Sequence, residues 1–203
     1  MKITSLTGQV SFKKTLVANC SIIKKEDIPY PCRIFSLDEN SDIDYFDNVN
    51  NKPDWNNARY LCYLKEDLKT IEEDIDYGYR IYSLEGPDGD CFAYSEVVKK
   101  DDGIDEVLFL ETVPTQTFLN AHKSKFKYIG ETLLSFMVKK SQEEKSRRIE
   151  LHPSILSTAF YRDKCFFVPP KKEVDPYHLC RNHFSKLIQQ NEEHTLSSIE
   201  LIG

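Results

Sequence analysis

Glycine is scarce in this chain, 7 in 203 residues, and only Gly130 falls between Phe118 and Ile202. That shortage excludes the glycine-rich phosphate loops: no Gly-Lys-Ser/Thr follows a glycine run, and no three-glycine dinucleotide fingerprint occurs. Long apolar runs are missing as well. Stretches such as Val107–Leu110 are far too short to cross a bilayer, and "MKITSLTGQVSFKK" lacks the apolar stretch of a secretory signal. The expected compartment is the cytoplasm, with no membrane partner. Low-complexity tracts and internal repeats are absent too. The 6 cysteines, at positions 20, 32, 62, 91, 165 and 180, form no Cys-x-x-Cys pair, so free thiols are expected. The run "HLCRNHF" (178–184) offers His178, Cys180 and His183 but no second ligand cluster at zinc spacing, and no metal is expected.

What is present is the composition of a folded chain: 40% hydrophobic, 12% aromatic and 30% charged residues. The net charge of −6 is unevenly placed, with 13 Lys and Arg against 23 Asp and Glu in residues 1–118, and 14 against 10 in residues 119–203. An acidic front part disfavours nucleic acid and suits a cationic partner, whereas the basic rear suits an anion.

Hydrophobic period places the elements. One or two strands are expected within 2–23, an acidic loop or a broken helical flank over 36–55, and an amphipathic helix over 56–74 on Tyr60, Leu61, Leu64, Leu68 and Ile71. The runs "YRIYSLE" and "CFAYSEVVKK", joined by the turn "GPDGD", predict a hairpin; "IDEVLFLETV" adds a third antiparallel strand that Pro114 stops. After a polar connector come a helix with Leu133, Leu134, Met137 and Val138 on its buried side, a strand "RIELHP", a short helix over 155–164 and a strand "CFFVPP". A last helix over 177–191 is expected to pack on the domain or on a second copy in a homodimer. This order predicts an α+β, or mixed α/β, fold.

The segment "KFKYIGETLLSF" (125–136) puts Gly130 between a strand and a helix. Glycine lets the backbone approach an anion, the helix N-terminus favours negative charge, and Lys123, Lys125 and Lys127 add cations upstream. The plain alternative is a structural turn.

Taken together, "VLFLETVP", "KYIGET", "LLSFMVKKSQEEK", "RIELHP" and "AFYRDKCF" resemble the GNAT superfamily of acetyl-CoA-dependent N-acetyltransferases, in the subgroup reading LE-x-x-P, a long connector, G-x-G-x-x-LL and a Leu-His strand. The likeness spans residues 104–170, and the meander from 79 agrees with it. Four positions depart from the family pattern: Lys127 for Arg or Gln, Thr132 for Gly or Ala, Ser154 near a common Asn, and Cys165 for the Gly of a Gly-Phe pair.

The resemblance implies a single domain over 1–203, with a variable acceptor-side part (1–78), a cofactor-binding core (79–170) and a C-terminal helix and tail (171–203). It implies a central, mostly antiparallel sheet flanked by helices, with strands splayed at the cofactor site. It further implies that acetyl-CoA is held by the main chain of Thr112 and Val113 along its pantetheine arm. Its diphosphate would lie on Tyr128, Ile129, Gly130, Glu131 and Thr132, with Lys127 and Ser154 nearby and the Glu131 side chain turned outward. Tyr161 matches the residue that protonates the leaving thiolate; Glu111, or His152, would take the amine proton. The expected acceptor is a cationic amine, among which a polyamine, an aminoglycoside-like molecule and a lysine side chain stay open. The alternative is a non-catalytic CoA-binding or interaction module on the same fold.

Overall fold

The computed structural model describes residues 14–37, 79–100, 102–113, 125–172 and 174–202. Among these residues nine strands form one sheet: β1 (Lys14–Lys24), β2 (Ile28–Leu37), β3 (Tyr79–Glu85), β4 (Cys91–Lys100), β5 (Ile104–Thr112), β6 (Phe126–Lys127), β7 (Arg148–Leu151), β8 (Tyr177–Cys180) and β9 (Glu200–Leu201). Their spatial order is β6-β1-β2-β3-β4-β5-β7-β8, and β9 also pairs with β1. Every pairing is antiparallel except β5 with β7.

The meander β3–β4–β5 follows from its turns. Gly89 and Gly103 take φ of 79° and 76°, the left-handed conformation that a side chain disfavours, and each closes a reversal between strands. β4 is buried over its first eight residues, as a central strand should be.

Helix α1 (Ile129–Glu143) crosses one face of the sheet and buries Leu133, Leu134, Phe136, Met137 and Val138. Phe136 meets Tyr82 edge-on at 5.0 Å. Each such side chain contributes about 1.5–3 kcal/mol through burial. Helix α2 (Phe184–Thr195) lies against α1 and seats Phe184, Leu187 and Asn191 in the interior.

Three expectations are corrected. The segment 177–180 is an edge strand, and the last helix begins only at Phe184 and runs on to Thr195. "CFFVPP" contributes a single bridge, Val168 to His178, because Pro169 and Pro170 have no N–H to extend a ladder. The short helix closes as a π-helical turn, Phe160–Lys164. Ser36 and Leu37 of the acidic loop expected over 36–55 end β2 instead; the rest of that loop, the helix over 56–74 and residues 115–124 of the polar connector lie outside the described residues. Among the described residues no helix is long and apolar enough to cross a membrane, and no group of three or more His, Cys, Asp or Glu is placed to hold a metal.

Candidate active site

β5 and β7 run together only from Ile104 and Arg148 to Val107 and Leu151. Beyond that pair β7 ends, while β5 continues to Thr112 with no other strand on that side among the described residues. A bulge marks the parting: Val97 faces Val107 and Glu96 faces Phe109, leaving Leu108 as the extra residue. Between the separating strands opens a cleft of about 290 Å³, walled by Leu108, Phe109, Leu110 and Glu111 on one side and by His152, Ser154, Ser157 and Tyr161 on the other.

Glu111 and Tyr161 thus line one cleft. The buried hydroxyl of Tyr94, on β4, donates to Glu111 Oε2 at 2.7 Å and fixes the carboxylate. Tyr161 sits on the π-helical turn, closed by the Cys165 N–H bonding to the Phe160 carbonyl at 3.2 Å. Its ring packs edge-on between Phe160 and Phe167. Burial, with a smaller contribution from Cys165, pushes its phenol well above the ordinary tyrosine range, so it stays protonated. Its hydroxyl bonds to none of the described residues. His152 is exposed, with Nε2 at 3.9 Å from Glu106 Oε1. The Ser154 carbonyl accepts the N–H groups of Ser157 and Thr158 at 3.0 and 3.1 Å and starts the turn that carries Tyr161.

The entrance of α1 stands beside the free end of β5. Tyr128 precedes the helix with a left-handed φ of 65°, and its side chain makes no capping hydrogen bond. The first helical bond runs from Thr132 N–H to Tyr128 O, 2.8 Å, so the N–H groups of Ile129, Gly130 and Glu131 have no intrahelical acceptor. A Cβ at Gly130 would lie 3.4 Å from Thr112 Cγ2 and 3.6 Å from Leu110 Cδ2, ordinary contact distances. The protein's own packing therefore tolerates alanine there.

Four expected contacts sit differently. Val113 gives its N–H to Phe92 O at 2.8 Å, so that donor is committed to the sheet. By the alternation of an antiparallel ladder, the main-chain groups of Leu110 and Thr112 instead face away from β4. The ammonium of Lys127 pairs with Asp27 Oδ1 at 2.9 Å, which raises its pKa through that hydrogen bond and charge. Glu131 does not point outward. Its side chain is 5% exposed and receives a hydrogen bond from His194 Nδ1 at 2.8 Å. The N–H of Thr132 is spent on Tyr128 O, and its buried hydroxyl accepts from Asn191 Nδ2 at 3.1 Å. His194 and Asn191 were invisible to local pattern, being 63 and 59 residues from their partners.

No family model matches the sequence, and no curated protein matches it. Solved structures do. A chimeric spermidine N-acetyltransferase from Vibrio cholerae and hSSAT aligns over 76% of this chain and 98% of its own at 13% identity, TM-score 0.53. A single-substitution form of the Vibrio cholerae enzyme aligns over 75% and 95% at 14% identity, TM-score 0.51. A dodecameric form of the same enzyme aligns over 75% and 95% at 14% identity, TM-score 0.50. The chain has the GNAT fold. In this GNAT-fold chain the parting of β5 and β7, the turn bearing Tyr161 and the open entrance of α1 all lie around one strand end.

Proposed function

We propose that the chain is an N-acyltransferase that moves an acetyl group from acetyl-CoA to the primary amine of a cationic acceptor, by direct attack in a ternary complex. The observation that carries this reading is the cleft opened by β5 and β7, with Glu111 and a protonated Tyr161 on its walls and uncapped helix amides at the end of the same strand. Free main-chain groups of Leu110 and Thr112 suit an extended amide-bearing arm. The N–H groups of Ile129, Gly130 and Glu131 suit its diphosphate. Ser154, on the opposite wall, is a further carrier contact.

Glu111 accepts a proton from the acceptor ammonium, directly or through one water; His152 is the second candidate for that task. The freed amine attacks the thioester carbonyl, the C–N bond forms and the C–S bond breaks. The departing sulfur takes the phenolic proton of Tyr161, which burial keeps in place until then, and the phenolate recovers a proton from the nitrogen, which sheds its second one on becoming an amide. The acidic front part suits a cationic acceptor, and spermidine in the names of the solved neighbours supports that class. β1 and β2 share a sheet with the meander, which supports a single domain. The dodecameric neighbour supports self-association.

A non-catalytic module is the second reading, favoured by the pairing of Lys127 with Asp27, which removes a free cation from the entrance. Calorimetry with acetyl-CoA, followed by thiol release over a panel of polyamines, aminoglycosides and lysine peptides, tests both. Binding with turnover on a cationic amine is the expected result. Binding without turnover favours a CoA-binding module, and absence of binding removes both CoA readings and leaves an interaction module.

A further inference from the structure

Helix α2 closes over the first turn of α1. His194 Nδ1 lies 2.8 Å from Glu131 Oε1, and its ring stacks on Tyr128 with centroids 4.5 Å apart and 16° between planes. One turn earlier, Asn191 donates to Thr132 at 3.1 Å. Tyr128, Glu131 and Thr132 are therefore held from outside their own helix.

Glu131 occupies the third helical position, where a carboxylate is drawn to the same N–H groups that an incoming diphosphate needs. Left to itself it would compete for those donors and repel the ligand's charge. Instead its buried side chain turns to α2, where its carboxylate accepts from His194, the only side chain that bonds it among the described residues.

We propose that His194 is a positioning residue for the diphosphate of the acyl carrier. It draws the Glu131 carboxylate off the α1 entrance and keeps the amides of Ile129, Gly130 and Glu131 open to the anion, a role that rests on the acetyl-CoA reading above. Asn191 fixes the next residue, Thr132, in the same way.

The test compares two acetyl donors on the full chain, acetyl-CoA and S-acetylpantetheine, which lacks the diphosphate. With His194→Ala, the KM for acetyl-CoA should rise about tenfold with kcat little changed, because a released carboxylate opposes the anion at the helix end. The KM for S-acetylpantetheine should stay as in wild type. The double variant His194→Ala/Glu131→Gln should recover the acetyl-CoA KM, since the charge that His194 restrains is gone. A merely structural role would weaken both donors alike and would not be repaired by Glu131→Gln; that result overturns the proposal. Calorimetry with CoA provides a readout apart from turnover, and thermal melting checks the fold. If His194→Ala does not fold, Glu131→Gln alone decides: CoA affinity equal to or above wild type supports the proposal, and weaker affinity overturns it. Wild-type binding of CoA that His194→Ala leaves unchanged sinks this inference alone, whereas no wild-type binding sinks the acetyl-CoA reading with it.

Discussion

The two ends of α1 are finished in opposite ways. At its C-terminus the carbonyls of Lys140, Ser141 and Gln142 accept the N–H groups of Glu144, Ser146 and Lys145 at 3.0, 2.9 and 3.2 Å, with Lys145 in the left-handed conformation at φ 62°. The Glu144 carboxylate is gripped there by Arg80 at 2.6 Å and Lys99 at 2.9 Å. At its N-terminus the cap residue, Tyr128, makes no side-chain capping bond. Helices in folded proteins usually satisfy both ends, and an uncapped start forgoes about 1 kcal/mol. One end of α1 is thus built for stability, and the other is left open beside the cleft.

The strongest way to break this comparison is Gly130→Asp. Bulk and negative charge at the open end should lower CoA affinity at least about 100-fold by calorimetry, as expected for losing helix-terminus anion binding. Unaltered affinity would remove the contrast between the ends. Tyr161→Phe should leave CoA affinity intact and slow turnover by roughly 100-fold, the usual size of a lost general acid; turnover at the wild-type rate would mean that another donor protonates the sulfur.

Glu144→Ala addresses the finished end, and should lower stability by about 1 kcal/mol in denaturant titrations without changing CoA affinity. Burial pulls the Glu144 carboxyl up, but hydrogen bonds from Lys99 and Arg80 outweigh it and hold it below the usual glutamate range. Its contribution is accordingly present above the unfolded pKa and lost as pH falls through the lower folded value, so wild type and Glu144→Ala should converge in acid. The smallest effect is expected from Lys145→Gly, which relieves the left-handed residue and should add about 0.5–1 kcal/mol, again with CoA binding unchanged.

Much of the sheet was legible because its signals are local. The meander declares itself through period-two runs and glycine turns, and α1 through Leu133, Leu134, Met137 and Val138 at helical spacing. β2 escaped notice behind Pro29 and Pro31. Both lie in the stretch that pairs with β1 but extends past β3, whose register begins at Arg33, so their missing N–H groups interrupt no β2–β3 ladder. At 177–180 the sequence pattern favours helix, because Leu179 and Leu187 fit a helical stripe, and tertiary pairing with β7 overrides it. Glu111, Tyr161 and Gly130 could be singled out through family likeness and local pattern. The buried turn of Glu131 toward α2 could not, since contact across 63 residues leaves no periodic trace.

The extra residue at Leu108 acts as a parity switch. Asp105 and Val107 line a small cavity with Met137 of α1, and Leu110 and Thr112 meet Gly130 on that same side. Counting by twos from Val107 in an unbroken strand would land on Glu111 and aim an acid into the greasy underside of the helix. One surplus residue reverses the count, so Glu111 emerges opposite, within reach of Tyr94. The same irregularity that marks the parting of the strands thereby decides which side of the sheet receives the Glu111 carboxylate.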